Sequence, residues 1–298
     1  MNAGPSTDAR QGLVLGLFAV ALFSLTLPAT RAAVSHFSPW FVASGRAVVA
    51  ALLAIAVLAV LRPALPTSAQ WRHLALIALG VVFGFPFFTT WAMQHVPAAH
   101  GAVVLALLPL MTALAGAWVA HERPGARFWS LAVLGSVVAL GYALRRGGGG
   151  FHAADFALIA AIVSAALGYA LGAATSRSLG GWQTISWALV LSLPINVLIA
   201  AITWPADANI RNADTSAWAG FAYVSVVSMY LGFFPWYQAL AIGGIARVGQ
   251  IQLLQPFMTF AASALWLGEV IDIQTMLFAI VIVVIVGIGR RAPIRRAD

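Results

Sequence analysis

The chain has 298 residues, 62% of them hydrophobic and only 8% charged, against about 25% charge in an average soluble domain; composition excludes an ordinary soluble fold and points to an integral membrane protein. Cysteine and lysine are both absent, and all 16 basic residues are Arg. Disulfides, thiolate metal sites and cysteine nucleophiles are therefore excluded, and the net charge of +8 is spread over scattered Arg with no basic tract of the kind that binds nucleic acid.

A helix that crosses a bilayer needs about 20 mostly apolar residues, with its backbone groups satisfied within the segment. In chain order, runs of that kind lie at 12–33, 39–61, 72–94, 98–120 and 127–145. A Gly147 to Gly150 stretch follows, and further runs lie at 155–177, 182–203, 216–240, 246–267 and 272–290. The opening MNAGPSTDAR has no basic n-region, so no cleaved signal peptide is expected. These runs predict an all-α polytopic membrane protein with ten transmembrane helices and short loops. With the N-terminus in the cytoplasm, 11 Arg fall on the inner side and 4 on the outer side, the asymmetry expected for that orientation. Both termini are then cytoplasmic.

The chain also repeats itself. Leu107, Pro109, Met111, Thr112, Ala115 and Glu122 recur without a gap, 147 residues on, as Leu254, Pro256, Met258, Thr259, Ala262 and Glu269. Two units follow, residues 1–147 with spans 1 to 5 and residues 148–298 with spans 6 to 10. Because five is odd, the second unit enters the membrane with the opposite polarity, giving two inverted-topology five-helix repeats. That architecture suits alternating access around a midplane site.

The mid-helix Pro followed thirteen residues later by Glu, present in both copies, resembles the drug/metabolite transporter superfamily, and specifically proteins with two EamA-type domains. The likeness covers nearly the whole chain. Within the superfamily, the aromatic stretch from Gly84 to Trp91 is most similar to amino-acid exporters, including aromatic amino-acid exporters. The resemblance implies a multi-pass protein of the bacterial inner membrane that exports an amino acid or a related metabolite. Export or exchange of another metabolite or a drug-like compound is the alternative. An intramembrane enzyme fits less well, because the chain offers only isolated Ser, Tyr and His residues.

Several side chains are candidates for the work. Pro109 and Pro256 lack the amide proton that a helix interior needs, so each is either a pivot or a static kink. Pro28, Pro86, Pro194 and Pro235 lack the repeat symmetry and read as static kinks. Glu122 and Glu269 end their spans on opposite sides of the membrane, as gates or as interfacial anchors. No acid lies in the central part of any span, which disfavours a buried carboxylate relay. Arg46 is the one charge clearly inside an apolar run, about 10 Å from the outer interface; it is a candidate for a substrate carboxylate, although in proteins of this resemblance an Arg near this point reads as a packing or anchoring residue.

Uncharged polar and aromatic faces make the expected substrate site: Phe83, Phe87 and Thr90 of span 3, Tyr169 of span 6, Tyr230 and Phe234 of span 8, and Gln252 and Gln255 of span 9. Neutral groups at depth cost less than ions and still read a zwitterion. The six His are scattered, and His95 and His100 are expected to be solvated. No metal, no cofactor and no nucleotide-binding motif is expected. The partners are a small-molecule substrate and the lipid bilayer; a monomer and a homodimer, the latter through Gly pairs, both stay open.

Overall fold

The computed structural model describes residues 7–146, 152–205, 207–289 and 294–296. Among the described residues ten long helical tracts appear in the expected order, with one short helix, Asp207–Asn212, between the seventh and the eighth. Seven of them, Arg10–Val34, Pro39–Leu61, Ser68–His95, Ala98–Val119, Ala153–Leu179, Gly181–Ile202 and Thr215–Gly243, are each long and apolar enough to cross a membrane. These are spans 1 to 4 and 6 to 8. Span 5 is Ala126–Arg146, span 9 runs in pieces from Ile245 to Leu267, and span 10 is Ile273–Gly289. The Gly147 to Gly150 linker lies outside the described residues.

Local chemistry sets many of the boundaries. Ser38 and Asp214 accept hydrogen bonds from Phe41 N and Ala217 N at the starts of spans 2 and 8, and Thr67 with Gln70 forms a capping box at span 3. Just past the ends of spans 4 and 9, His121 (φ 53°) and Gly268 (φ 65°) have positive φ. These positions are 147 residues apart and each precedes the repeated Glu. Outward-facing residues such as Val60, Leu79 and Leu265 are exposed, as expected where the solvent is hydrocarbon.

Packing follows the repeat. Span 2 packs on span 7, span 4 on span 9 and span 5 on span 10, each against its own copy, while span 1 on span 8 is matched by span 3 on span 6. Every major contact thus maps onto itself or onto another contact when the halves are exchanged. The inversion is visible in span 4. Glu269 lies against its first residues, Ala98 and Ala99, whereas Glu122 follows its last turn. There a short backbone clip pairs Glu122–Pro124 antiparallel with Ile294–Arg296. The two ends of the bundle are called below the His95 end and the Pro124 end.

Five helices are interrupted, and proline explains each interruption. A proline donates no hydrogen bond to the carbonyl four residues back and crowds it with its ring. For Pro28 that residue is Ser24, where the first helix of span 1 stops and a second, Thr26–Val34, begins. For Pro86 it is Val82, inside the π-helical Ala78–Gly84, and for Pro235 it is Leu231, the last residue of the π-helical Val224–Leu231. For Pro109 it is Leu105, where Ala98–Leu105 ends. For Pro256 it is Gln252, within the 3₁₀ turn Gln250–Leu254. The π segments of spans 3 and 8 and the breaks of spans 4 and 9 coincide at the repeat offset. Pro194, by contrast, sits inside the continuous helix Gly181–Ile202.

Candidate functional site

The five interruptions meet at one place. Phe23 and Thr26 flank the break in span 1, Val81 and Ser228 lie in the π segments, Leu105 and Leu108 flank the break in span 4, and Gln255 follows the 3₁₀ turn of span 9. All of them line a single cavity between the halves, together with Arg46 and Tyr169. Rings form one wall: Phe23 meets Phe233 edge-on at 5.3 Å, and Tyr169 lies 6.1 Å from Phe233. In this conformation the cavity is nearly shut, with a volume of about 10 Å³, room for roughly one water.

Arg46, Thr26, Ser228 and Gln255 supply the polar part of the lining. Arg46 is 1% exposed, and its Nη2 donates to Ser228 Oγ at 3.0 Å. Ser228 Oγ in turn lies 2.8 Å from Thr26 Oγ1. The interruption in span 1 frees the carbonyl of Ser24, and Thr259 Oγ1 of span 9 donates to it at 2.8 Å. Thr259 is one of the repeated residues, so the repeat marker in the second half mends the proline break in the first. A hydroxyl repairing a freed backbone group is what tolerates proline in a membrane helix.

Of the expected site residues, Tyr169 and Gln255 line this cavity. Gln252, one turn earlier, is buried with both amide atoms unpartnered among the described residues. Phe83 and Phe87 are half-buried and pack together at 6.0 Å, with Phe87 also 6.2 Å from Trp40. Thr90 Oγ1 donates to the carbonyl of Pro86 in its own helix. Tyr230 is hydrogen-bonded to Ser186 at 2.9 Å and stacks edge-on with Phe234 at 4.7 Å. None of these five lines the cavity; Phe85, Phe23 and Phe233 stand there. The physical reason is the π segments, since each residue added to a turn rotates the following face by about 100°. Pro109 and Pro256 are buried beside the interruptions.

A second hollow, of about 390 Å³, opens at the His95 end and is lined by His95, His100, His152, Glu269 and Asp272 among others. Two contacts draw it together. The Glu269 carboxylate accepts from Ala98 N at 2.9 Å and from Ala99 N at 3.0 Å, occupying free N–H groups at the start of span 4 where the helix dipole favours an anion. His100 Nε2 lies 2.7 Å from Asp155 Oδ1, joining span 4 to span 6. His100 is thus 8% exposed, contrary to the solvated histidine expected, because Asp155 reaches it while accepting from His152 N. The sequence carried a signal for this pair: Asp8 and Asp155, and His100 and Arg247, stand at the repeat offset. The side chain of Glu122 falls outside those described. Among the described residues, no three His, Asp or Glu side chains gather as a metal site requires.

The EamA-like transporter family matches residues 10–143 and 152–288, one unit in each half. The uncharacterized transporter YdeK of Bacillus subtilis (strain 168) is 42% identical over 280 residues, spanning 94% of this chain and 97% of its own. The uncharacterized transporter YvbV of the same organism is 22% identical, with 92% of this chain and 89% of its own covered. A crystal structure at 18% identity superposes with a TM-score of 0.66 over 94% of this chain and 98% of its own, a likeness of fold. Two matched units, a relative 42% identical over nearly the whole chain, and a bundle of two helical repeats lead to one conclusion: the chain belongs to the EamA-like transporter family.

Proposed function

We propose that the protein is a secondary transporter of the bacterial inner membrane that exports a small amphipathic metabolite by alternating access, with an amino acid bearing a large apolar or aromatic side chain as its substrate. The observation that carries this reading is the convergence of five interrupted helices on one cavity between the halves. Broken helices at a repeat interface supply free backbone groups for a polar ligand and weak points for bending. The ring wall of Phe23, Phe233 and Tyr169 suits a large apolar side chain, while Gln255, Thr26 and the opposing hydroxyls suit a zwitterion. The moving units are residues 1–147 and 148–298. With the N-terminus cytoplasmic, the His95 end faces outward, and Glu269 closes it by holding span 4; Glu122 serves the opposite end.

Counterflow in proteoliposomes tests the substrate. Labelled phenylalanine, tyrosine and leucine should exchange faster than alanine, glutamate or a sugar. Equal exchange of all of these, or exchange confined to compounds without an amino group, would reject the amino-acid reading. For orientation, a reporter fused after Asp298 should be cytoplasmic and one inserted between Gly147 and Gly150 external, and reversed labelling at either site overturns the placement. For the pivots, Pro109→Ala or Pro256→Ala should leave folding and substrate binding within about 1 kcal/mol, since a compatible helix interior accepts Ala readily, while slowing counterflow. Loss of binding together with folding would mark the prolines as static kinks.

A further inference from the structure

We propose that Arg46 is the anion anchor of the transport site and that the substrate carries a carboxylate that pairs with it. The inference deepens the reading above, resting on the central cavity as the transport site, and it adds a charge requirement that neutral amides and hydroxyls do not impose.

Arg46 carries a buried charge with no counter-ion beside it among the described residues. Arginine stays protonated in proteins, yet this guanidinium is 1% exposed. Among the described residues its one hydrogen-bond partner is a neutral hydroxyl, Ser228 Oγ. Nε and Nη1 are buried with no acceptor among the described residues. Every Asp and Glu of the sequence lies at a span end or in a terminus or loop, so none stands at this depth. A buried cation without a counter-charge is strongly unfavourable, and the pairing that relieves it is a charge-assisted hydrogen bond to an anion. A residue serving helix packing alone would do so more cheaply as Met or Leu.

The cavity wall indicates what the counter-charge is. Arg46 comes from the first half and Ser228, Tyr169 and Gln255 from the second, so an anion bound there touches both moving units. Among the described residues no second cation lines the cavity, and the chain has no lysine. One guanidinium matches a monoanion such as a carboxylate; a phosphate dianion would remain half-compensated. Away from Arg46 and its polar neighbours Ser228, Thr26 and Gln255, the lining is aromatic and aliphatic, which suits a molecule with a large apolar part. The near-closure of the cavity places the guanidinium where a carboxylate would be enclosed once the halves part and close again.

Thermal unfolding of the purified full-length protein, read with matched pairs of ligands, tests the anchor without a labelled substrate, because a ligand that binds the folded state raises the melting temperature. The pairs are phenylalanine with phenylalaninamide, leucine with leucinamide, and 3-phenylpropionate with 3-phenylpropionamide. In the native protein each acid should stabilise and each amide should require at least tenfold higher concentration for the same shift. In Arg46→Gln the acid and its amide should become equivalent, and Arg46→Lys should restore part of the preference. Amides as effective as acids in the native protein, or a folded Arg46→Gln protein with its acid preference intact, overturns the anchor. No stabilisation by any acid in the set also counts against it. Acid preference kept for 3-phenylpropionate but absent for both amino acids would leave the anchor standing and sink the amino-acid reading. Should Arg46→Gln fail to fold, the comparison of pairs in the native protein decides.

Discussion

Gly220→Leu is expected to disrupt the bundle, with a loss well above what a membrane-facing substitution produces. Gly220 lies in span 8 where that span crosses span 1, and a Cβ placed on it would stand 2.4 Å from the carbonyl oxygen of Ala29 and 3.1 Å from Ala32 Cβ. The obstacle is backbone, so no rotamer change relieves it; the two helices must separate. Small residues at such crossings let membrane helices approach closely, and that approach supplies the dispersion contacts that hold them together in lipid. Overpacking typically costs about 1–3 kcal/mol, and a clash with a carbonyl belongs at the upper end. Separation here also displaces the Thr26–Val34 segment, which carries Thr26 into the cavity. Gly141 provides the contrast, because a Cβ there meets nothing within 4 Å, and Gly141→Ala should be neutral or slightly stabilising through helix propensity. Melting temperature and monodisperse yield in detergent separate the two variants. Equal behaviour would mean that spans 1 and 8 are not in backbone contact.

The architecture was legible because its signals are long. Twenty-residue apolar runs and the repeat at 147 residues each average over many positions, and the ten tracts follow from them, while the Pro and Glu markers repeated in both halves carried the resemblance to the family. The site was less legible because it depends on helix phase at single residues. Extrapolating an uninterrupted α-helix through Ala78–Gly84 selects Phe83 and Phe87, whereas the π turns bring Phe85 to the cavity; the same shift in Val224–Leu231 exchanges Tyr230 and Phe234 for Ser228 and Phe233. Tyr169 stayed legible because span 6, Ala153–Leu179, is continuous. Gln255 stayed legible because it adjoins the proline that marks its own break. Arg46 was visible as a lone charge, yet its depth could not be read from its distance along span 2, since Ser228 arrives from a helix 182 residues away. The pairing of His100 with Asp155 left only an indirect trace, the repeat offsets of Asp8 with Asp155 and of His100 with Arg247, because the fold of one half against the other is what brings the two side chains together.

Glu269→Gln is expected to release the His95 end. The carboxylate holds two backbone N–H groups at the start of span 4, whereas a carboxamide oxygen carries no net charge and turns its amino group towards the second donor. Weakening a charge-assisted contact of this kind by about 1–3 kcal/mol shifts a two-state equilibrium by roughly 5- to 150-fold. The protein has no cysteine, so a single Ala102→Cys, buried one turn into span 4, reports opening directly. Under the proposed orientation a membrane-impermeant thiol reagent applied outside should label it faster in Glu269→Gln by a factor within that range. Contact between His100 and Asp155 still holds span 4 to span 6, so adding His100→Ala should increase labelling by more than the sum of the single effects, as coupled residues do. The repeat places Ile245 and Ala246 where Ala98 and Ala99 stand, with Glu122 in the position of Glu269. Glu122→Gln should therefore loosen the Pro124 end and slow external labelling of Ala102→Cys. Two substitutions of identical chemistry, 147 residues apart, are thus expected to move one probe in opposite directions, an outcome that a general loosening of the bundle does not produce. Acceleration by both would reduce the two glutamates to anchors of the fold and remove them as gates.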